Sequence, residues 1–161
     1  MKKAIIILLA ILAVSSFKSN AQTNYKSSGT FSATIGIGAG ARCLPVTGDL
    51  KYTFLELSRG VTMYGGASVS YGRCFGTYKD ISDWFIGPVV GVDFSISDNL
   101  EFFTKVALGV RSVGTSDIYV RKIKSGAYAG INYYFSENLG IGAYLGYGEP
   151  SYAGVQVAIK F

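Results

Sequence analysis

Five ionisable residues share a parity that would bring them together. Glu101, Lys105 and Arg111 are separated by four and six residues. In an extended segment an even spacing puts all three on one face. Asp93 and Lys160 hold the corresponding position in the apolar-alternating segments around them. Opposite charges enclosed together persist only if they pair, so the pattern predicts an ion-pair network inside the fold. Such a network serves either as a structural plug that fixes register or as the gate of a conducting path.

Two further residues carry chemistry. Cys43 and Cys74 are the only cysteines. They lack Cys-x-x-Cys spacing, so they are not expected to be redox-active; in an oxidising compartment they are candidates for a disulfide. Histidine is absent from the whole chain. A serine hydroxyl with no base beside it is not an activated nucleophile, and His-ligated zinc or haem is excluded. The expectation is a non-enzymatic protein with no cofactor and no metal.

The N-terminus argues for a compartment. Lys2 and Lys3 precede an apolar run, 4–14, and a small, polar stretch with Ser19 and Ala21 at the −3 and −1 positions of a cut before Gln22. The run is too short to span a bilayer as a helix, and no cysteine follows it to make a lipid anchor. Residues 1–21 are therefore expected to be a cleaved signal peptide, and 22–161 one domain. Without Lys2, Lys3 and Lys18 the balance is 12 basic to 10 acidic residues. The basic character is mostly that of the precursor, and nucleic acid is not an expected partner.

The elements that must position the charged residues are strands. Apolar residues alternate with small or polar ones over eight segments, about 30–41, 50–57, 62–73, 84–96, 100–112, 125–135, 139–148 and 151–161. The alternation puts Phe31, Ile35 and Ile37, then Leu50, Tyr52 and Phe54, then Val90, Val92 and Phe94, on one common face. Glu56 breaks the second segment, either by lying at an interface or because a bulge moves Leu55 and Leu57 outward. Pro88 removes a ladder donor and suggests a bulge in the fourth. The connections 58–60, 97–99 and 136–138 are tight. The stretches 42–49, 73–83 and 113–124 are longer and polar, and 148–151 is shorter. These longer connections hold Arg42, Asp49, Arg73, Lys79, Asp80, Asp83, Asp117, Arg121, Lys122 and Lys124. Cys43 and Cys74 would top the first and third strands, roughly 10 Å apart across the second, so the loops must lean together for a bond to form.

The apolar face lacks charge apart from Glu56. The other face holds glycine, serine and tyrosine with the five network residues. A soluble ligand-binding barrel would be the reverse, apolar inside and charged outside. A charge facing lipid at the midplane costs about 2–4 kcal/mol for Lys or Arg, so this pattern predicts an eight-stranded antiparallel up-and-down transmembrane β-barrel. Tyr64, Phe103, Tyr128, Tyr134 and Tyr144 would fill the bore. Aromatic belts are expected at two rims, Phe94, Phe102, Tyr133, Phe135 and Phe161 at one and Tyr52, Tyr71, Trp84 and Tyr147 at the other.

The signal, the eight alternating strands, the Ser-x-Asn-Leu turns (97–100, 136–139) and the ending Val157, Ala158, Ile159, Lys160, Phe161 resemble the small outer-membrane β-barrels of the OmpA-transmembrane-domain and OmpX type. The resemblance covers the whole chain after the signal. It implies a Gram-negative outer membrane, periplasmic termini, and a C-terminal strand read by the barrel-assembly machinery through Tyr152, Gly154, Val157, Ile159 and Phe161. It also implies outer-membrane lipid and lipopolysaccharide as surroundings. The enzymes among small barrels use a catalytic histidine, which this chain lacks. A structural or surface-interaction role is the leading expectation, with an unidentified surface partner, the run 121–124 near lipopolysaccharide phosphates, and a monomeric barrel. A narrow porin-like channel is the alternative.

Overall fold

The structure, a computed structural model, describes residues 28–40, 43–74, 81–114, 119–148 and 151–161. The signal segment 1–21 and Arg42, Lys79, Asp80 and Asp117 lie outside them. Eight strands follow in order: β1 (Phe31–Ala39), β2 (Cys43–Ser58), β3 (Val61–Cys74), β4 (Ile81–Ser97), β5 (Leu100–Gly114), β6 (Tyr119–Tyr134), β7 (Leu139–Gly148) and β8 (Ala153–Lys160). Each pairs antiparallel with its neighbours in sequence, and β1 pairs with β8 from Ser32↔Lys160 to Ala39↔Ala153, closing the barrel. Closure leaves no strand edge unpaired. Among the described residues no helix is long and apolar enough to cross a membrane.

The strand starts differ from those the alternation predicts. β2 begins at Cys43, so 43–49 is strand. Pro45, Gly48 and Asp49 look like loop punctuation, yet Leu44 and Val46 continue the outward parity of Leu50 and Tyr52, and both are exposed. β6 likewise begins at Tyr119, continuing the β5 ladder up to Gly114↔Tyr119. At this end the described strands reach Ala39 and Cys43, Cys74 and Ile81, Gly114 and Tyr119, and Gly148 and Ala153. Opposite them, 59–60, 98–99 and 135–138 form tight turns. Gly60 adopts a φ of 81° in the first, a region glycine enters without steric cost. The barrel thus has a turn end, with both of its termini, and a loop end where hairpins run on.

Two local predictions resolve. The β2–β3 ladder shifts register between Thr53 and Leu55 and again between Glu56 and Ser58. The bulge puts Leu55 opposite Met63 on the outer wall, and Leu55 and Leu57 are exposed. No bulge forms at Pro88. The β4–β5 register is the same at Ile86↔Val110 and Val89↔Ala107, with only the Gly87 and Pro88 pairs missing between them. Proline removes its donor here without adding a residue, so the ladder skips rather than slips.

Outside, Ile86, Val155 and Leu145 are 62 %, 63 % and 71 % exposed. Val61, Val92 and Phe94 have outward parity but are buried against one another with Met63 and Phe102. Tyr71 and Trp84 pair near the loop end with centroids 4.6 Å apart. Tyr52 does not join them. It packs on Phe31 at 4.9 Å, towards the turn end, because β2 starts seven residues earlier than its first obvious apolar residue suggests. Inside, Tyr64, Phe103, Tyr128, Tyr134 and Tyr144 are all buried. Phe85, Val89 and Ala107 pack with three of them.

Candidate functional site

The lumen contains the chemistry, in three tiers. At the turn end Glu101 on β5 is the hub. Asn132 Nδ2 and the Tyr134 hydroxyl donate to its Oε1 at 3.1 and 3.3 Å. Gln156 Nε2 on β8 donates to Asn132 Oδ1 at 2.8 Å. Lys160 Nζ lies 3.7 Å from Glu101 Oε2 and 3.6 Å from the centroid of the Tyr134 ring. A carboxylate with two donors and an ammonium group beside it is compensated for its burial. Asp93 is buried on β4.

In the middle tier Lys105 on β5 pairs directly with Asp49 on β2, three strands away around the wall. Thr34 on β1 donates to the same Asp49 oxygen at 3.2 Å. The Lys105 ammonium also stands 5.1 Å from the Tyr128 ring and 5.5 Å from that of Tyr144. Lys51, 2 % exposed, places its ammonium 4.5 Å over Tyr64 and 4.9 Å over Phe103. Cation–π contacts of this kind strengthen when water is excluded. Tyr64 donates to the Thr104 carbonyl, and the Tyr144 hydroxyl lies 2.8 Å from that of Ser151. Side chains from β1, β2, β3, β5, β6 and β7 thus meet in the bore.

The third tier is the mouth at the loop end. Arg111 grips Asp83 through Nε and Nη2 at 2.9 and 2.7 Å, a bidentate pair. Cys43 and Cys74 form a disulfide. They are direct register partners on adjacent strands with Cα atoms 4.0 Å apart, which corrects the placement of Cys43 on the first strand. A carboxylate oxygen of Asp83 lies within 4.8 Å of both sulfurs. Sulfurs bonded to each other offer no thiolate, so the trio is not a metal site in this state. Lys122 and Lys124 take the inward parity of β6. With Arg111, Val113 and Val120 they line a recess of about 210 Å³.

All five predicted network residues point inward, as their parity requires. Lys105 and Arg111 pair with Asp49 and Asp83, acids outside the five, and Lys160 stands beside Glu101. Those two acids were assigned to loops, and Lys51 was not singled out. The parity of Leu44, Val46, Leu50 and Tyr52 on β2, and of Trp84 on β4, is the signal that finds them. The basic run also divides. Lys122 and Lys124 face the mouth, whereas Arg121 and the 77 %-exposed Ile123 face outward.

On the outer wall a shallow apolar depression of about 930 Å³ crosses β1, β8, β7 and β6, where Ala39, Ala129, Ala143 and Ala153 stand among larger residues. It has almost no polar lining and is part of the apolar surface, remote from the charged groups. Polar tiers inside and continuous apolar surface outside are the arrangement of a membrane barrel.

No protein-family model matches the chain, and no curated protein does. Solved structures do match. A designed transmembrane β-barrel aligns at 21 % identity and TM-score 0.58, covering 85 % of this chain and 99 % of its own. Neisserial surface protein A aligns at 15 % and 0.55, covering 82 % and 95 %. The N-terminal β-barrel domain of Pseudomonas aeruginosa OprF aligns at 18 % and 0.53, covering 84 % and 100 %. The chain has the fold of the small eight-stranded outer-membrane barrels. At these identities the likeness concerns fold, and the role must come from this chain's own residues.

Proposed function

We propose that the chain is a non-enzymatic integral barrel of a Gram-negative outer membrane, closed to solutes, whose role is carried by its loop end. The tight turns and both barrel termini face the periplasm and the loop end faces outward, after removal of 1–21. The supporting observation is the Lys105–Asp49 pair, which ties two separated parts of the wall across the bore. Among the described residues, the bore below the mouth sets Asp49, Asp93 and Glu101 against Lys51, Lys105 and Lys160, three acids to three bases. A balanced, side-chain-filled interior is expected of a plug.

Gly154, Val157 and Ile159 on the closing strand, with the exposed Tyr152 and Phe161 flanking it, are offered to the barrel-assembly machinery. Arg73 and Arg121 stand near the loop end with outward parity, placed for lipopolysaccharide phosphates. A closed barrel needs no second subunit to cover an edge. Planar-bilayer recording from refolded protein tests the reading. The expected result is silence from the wild type and current from Asp49→Ala/Lys105→Ala. Discrete wild-type steps would establish the porin-like channel instead.

A further inference from the structure

The mouth carries a charge arrangement that the closed bore does not explain. Arg111 and Lys122 are direct partners in the β5–β6 ladder and share its inward face. Lys124 follows two residues later on that face. Like charges placed directly opposite each other on a sheet repel. Asp83 answers one of these cations through its bidentate grip on Arg111. The Val113 and Val120 walls hold the three cations around one recess of about 210 Å³. That volume is below the range of pockets for drug-sized ligands, but it suits a small anion.

We infer that this recess binds a phosphoryl group, with Lys122 and Lys124 supplying the charge and Arg111, whose Nε and Nη2 are held by Asp83, adding its remaining Nη donors. A phosphoryl group carries close to two negative charges and three strong acceptor oxygens. It would turn the Arg111–Lys122–Lys124 repulsion into shared attraction. The recess opens at the loop end, so its ligand comes from the side away from the tight turns. The phosphoryl group belongs either to free phosphate or to a phosphorylated envelope glycolipid. The inference does not depend on whether the bore conducts.

The test uses the refolded mature chain in phosphate-free detergent, with folding verified by its heat-dependent gel shift. Inorganic phosphate is titrated by calorimetry in one arm. Lipopolysaccharide, intact or enzymatically dephosphorylated, is titrated in the other. Binding of phosphate, or of intact but not dephosphorylated lipopolysaccharide, is expected. Lys122→Gln/Lys124→Gln should weaken it by about tenfold or more, and Arg59→Gln, in the turn between β2 and β3 at the opposite end of the barrel, should leave it unchanged. Free-phosphate binding would identify a solute site, and lipopolysaccharide binding alone would identify a headgroup site. Absence of binding in both arms would overturn the inference. So would a double variant that binds as the wild type does, or an equal loss in Arg59→Gln, which would make the effect one of net charge and not of the recess.

Discussion

The middle of the bore and its loop-end mouth are built from the same residue types but balanced differently. In the middle Lys105 meets Asp49 and a threonine hydroxyl, while Lys51 lies over two aromatic rings. Both lysines are nearly water-free. At the mouth Arg111 retains Asp83, but Lys122 and Lys124 add positive charge beside it. Burial enforces the difference. An unpaired charge in the middle costs several kcal/mol, so charge there must be matched. At the mouth, water screens the repulsion, so an excess is tolerated and is free to serve recognition.

Breaking the middle should therefore have the largest effect. Lys105→Met strands the Asp49 carboxylate, and the expected loss is about 3–5 kcal/mol of unfolding free energy, measured by urea titration in lipid vesicles. Adding Asp49→Asn should recover much of that loss. If Lys105→Met is as stable as the wild type, water already reaches the middle and the contrast with the mouth collapses.

Removal of the disulfide with Cys43→Ser/Cys74→Ser comes next, at about 2–4 kcal/mol. Hydrogen exchange should show the opening confined to the loop end of β2 and β3. Exchange spreading to β5 and Lys105 would mean that the mouth supports the middle. Packing in the middle should be stiff as well. A Cβ on Gly130 would come within 2.5 Å of the Phe103 ring and the Ala143 carbonyl, so Gly130→Ala should cost about 1–3 kcal/mol. The smallest effect belongs to Lys122→Gln/Lys124→Gln. It should raise stability by about 0.5 kcal/mol or less at low salt, an advantage that vanishes at high salt. A loss of stability instead would show the lysines to be paired.

Much of the architecture was legible from residues alone, because period-two alternation in a barrel reports directly on which face meets lipid. β7 was read at its true bounds, and the inward placement of Asp93, Glu101, Lys105, Arg111 and Lys160 followed from parity. What was misread shares one cause. Pro45, Gly48 and Asp49, and the polar residues before Trp84 and around Arg121, resemble loop composition, yet the ladder runs through them. Local composition cannot reveal that a hairpin extends past the apolar belt, since cross-strand partners supply the hydrogen bonds that decide it. That error put Cys43 on the wrong strand, Tyr52 at the wrong rim, and Asp49 and Asp83 in solvent.

The chain by itself therefore determined how many strands there are, which faces they present and that Asp93, Glu101, Lys105, Arg111 and Lys160 lie inside. Alternation is local, and each of these properties can be read one residue at a time. Only the closed barrel decided who pairs with whom. Lys105 reaches Asp49 from 56 residues away, and Arg111 and Lys122 become opposing neighbours through the register of two strands. Those juxtapositions depend on barrel closure and stagger, which bring distant residues of like parity to one height, and no local pattern in the sequence encodes that.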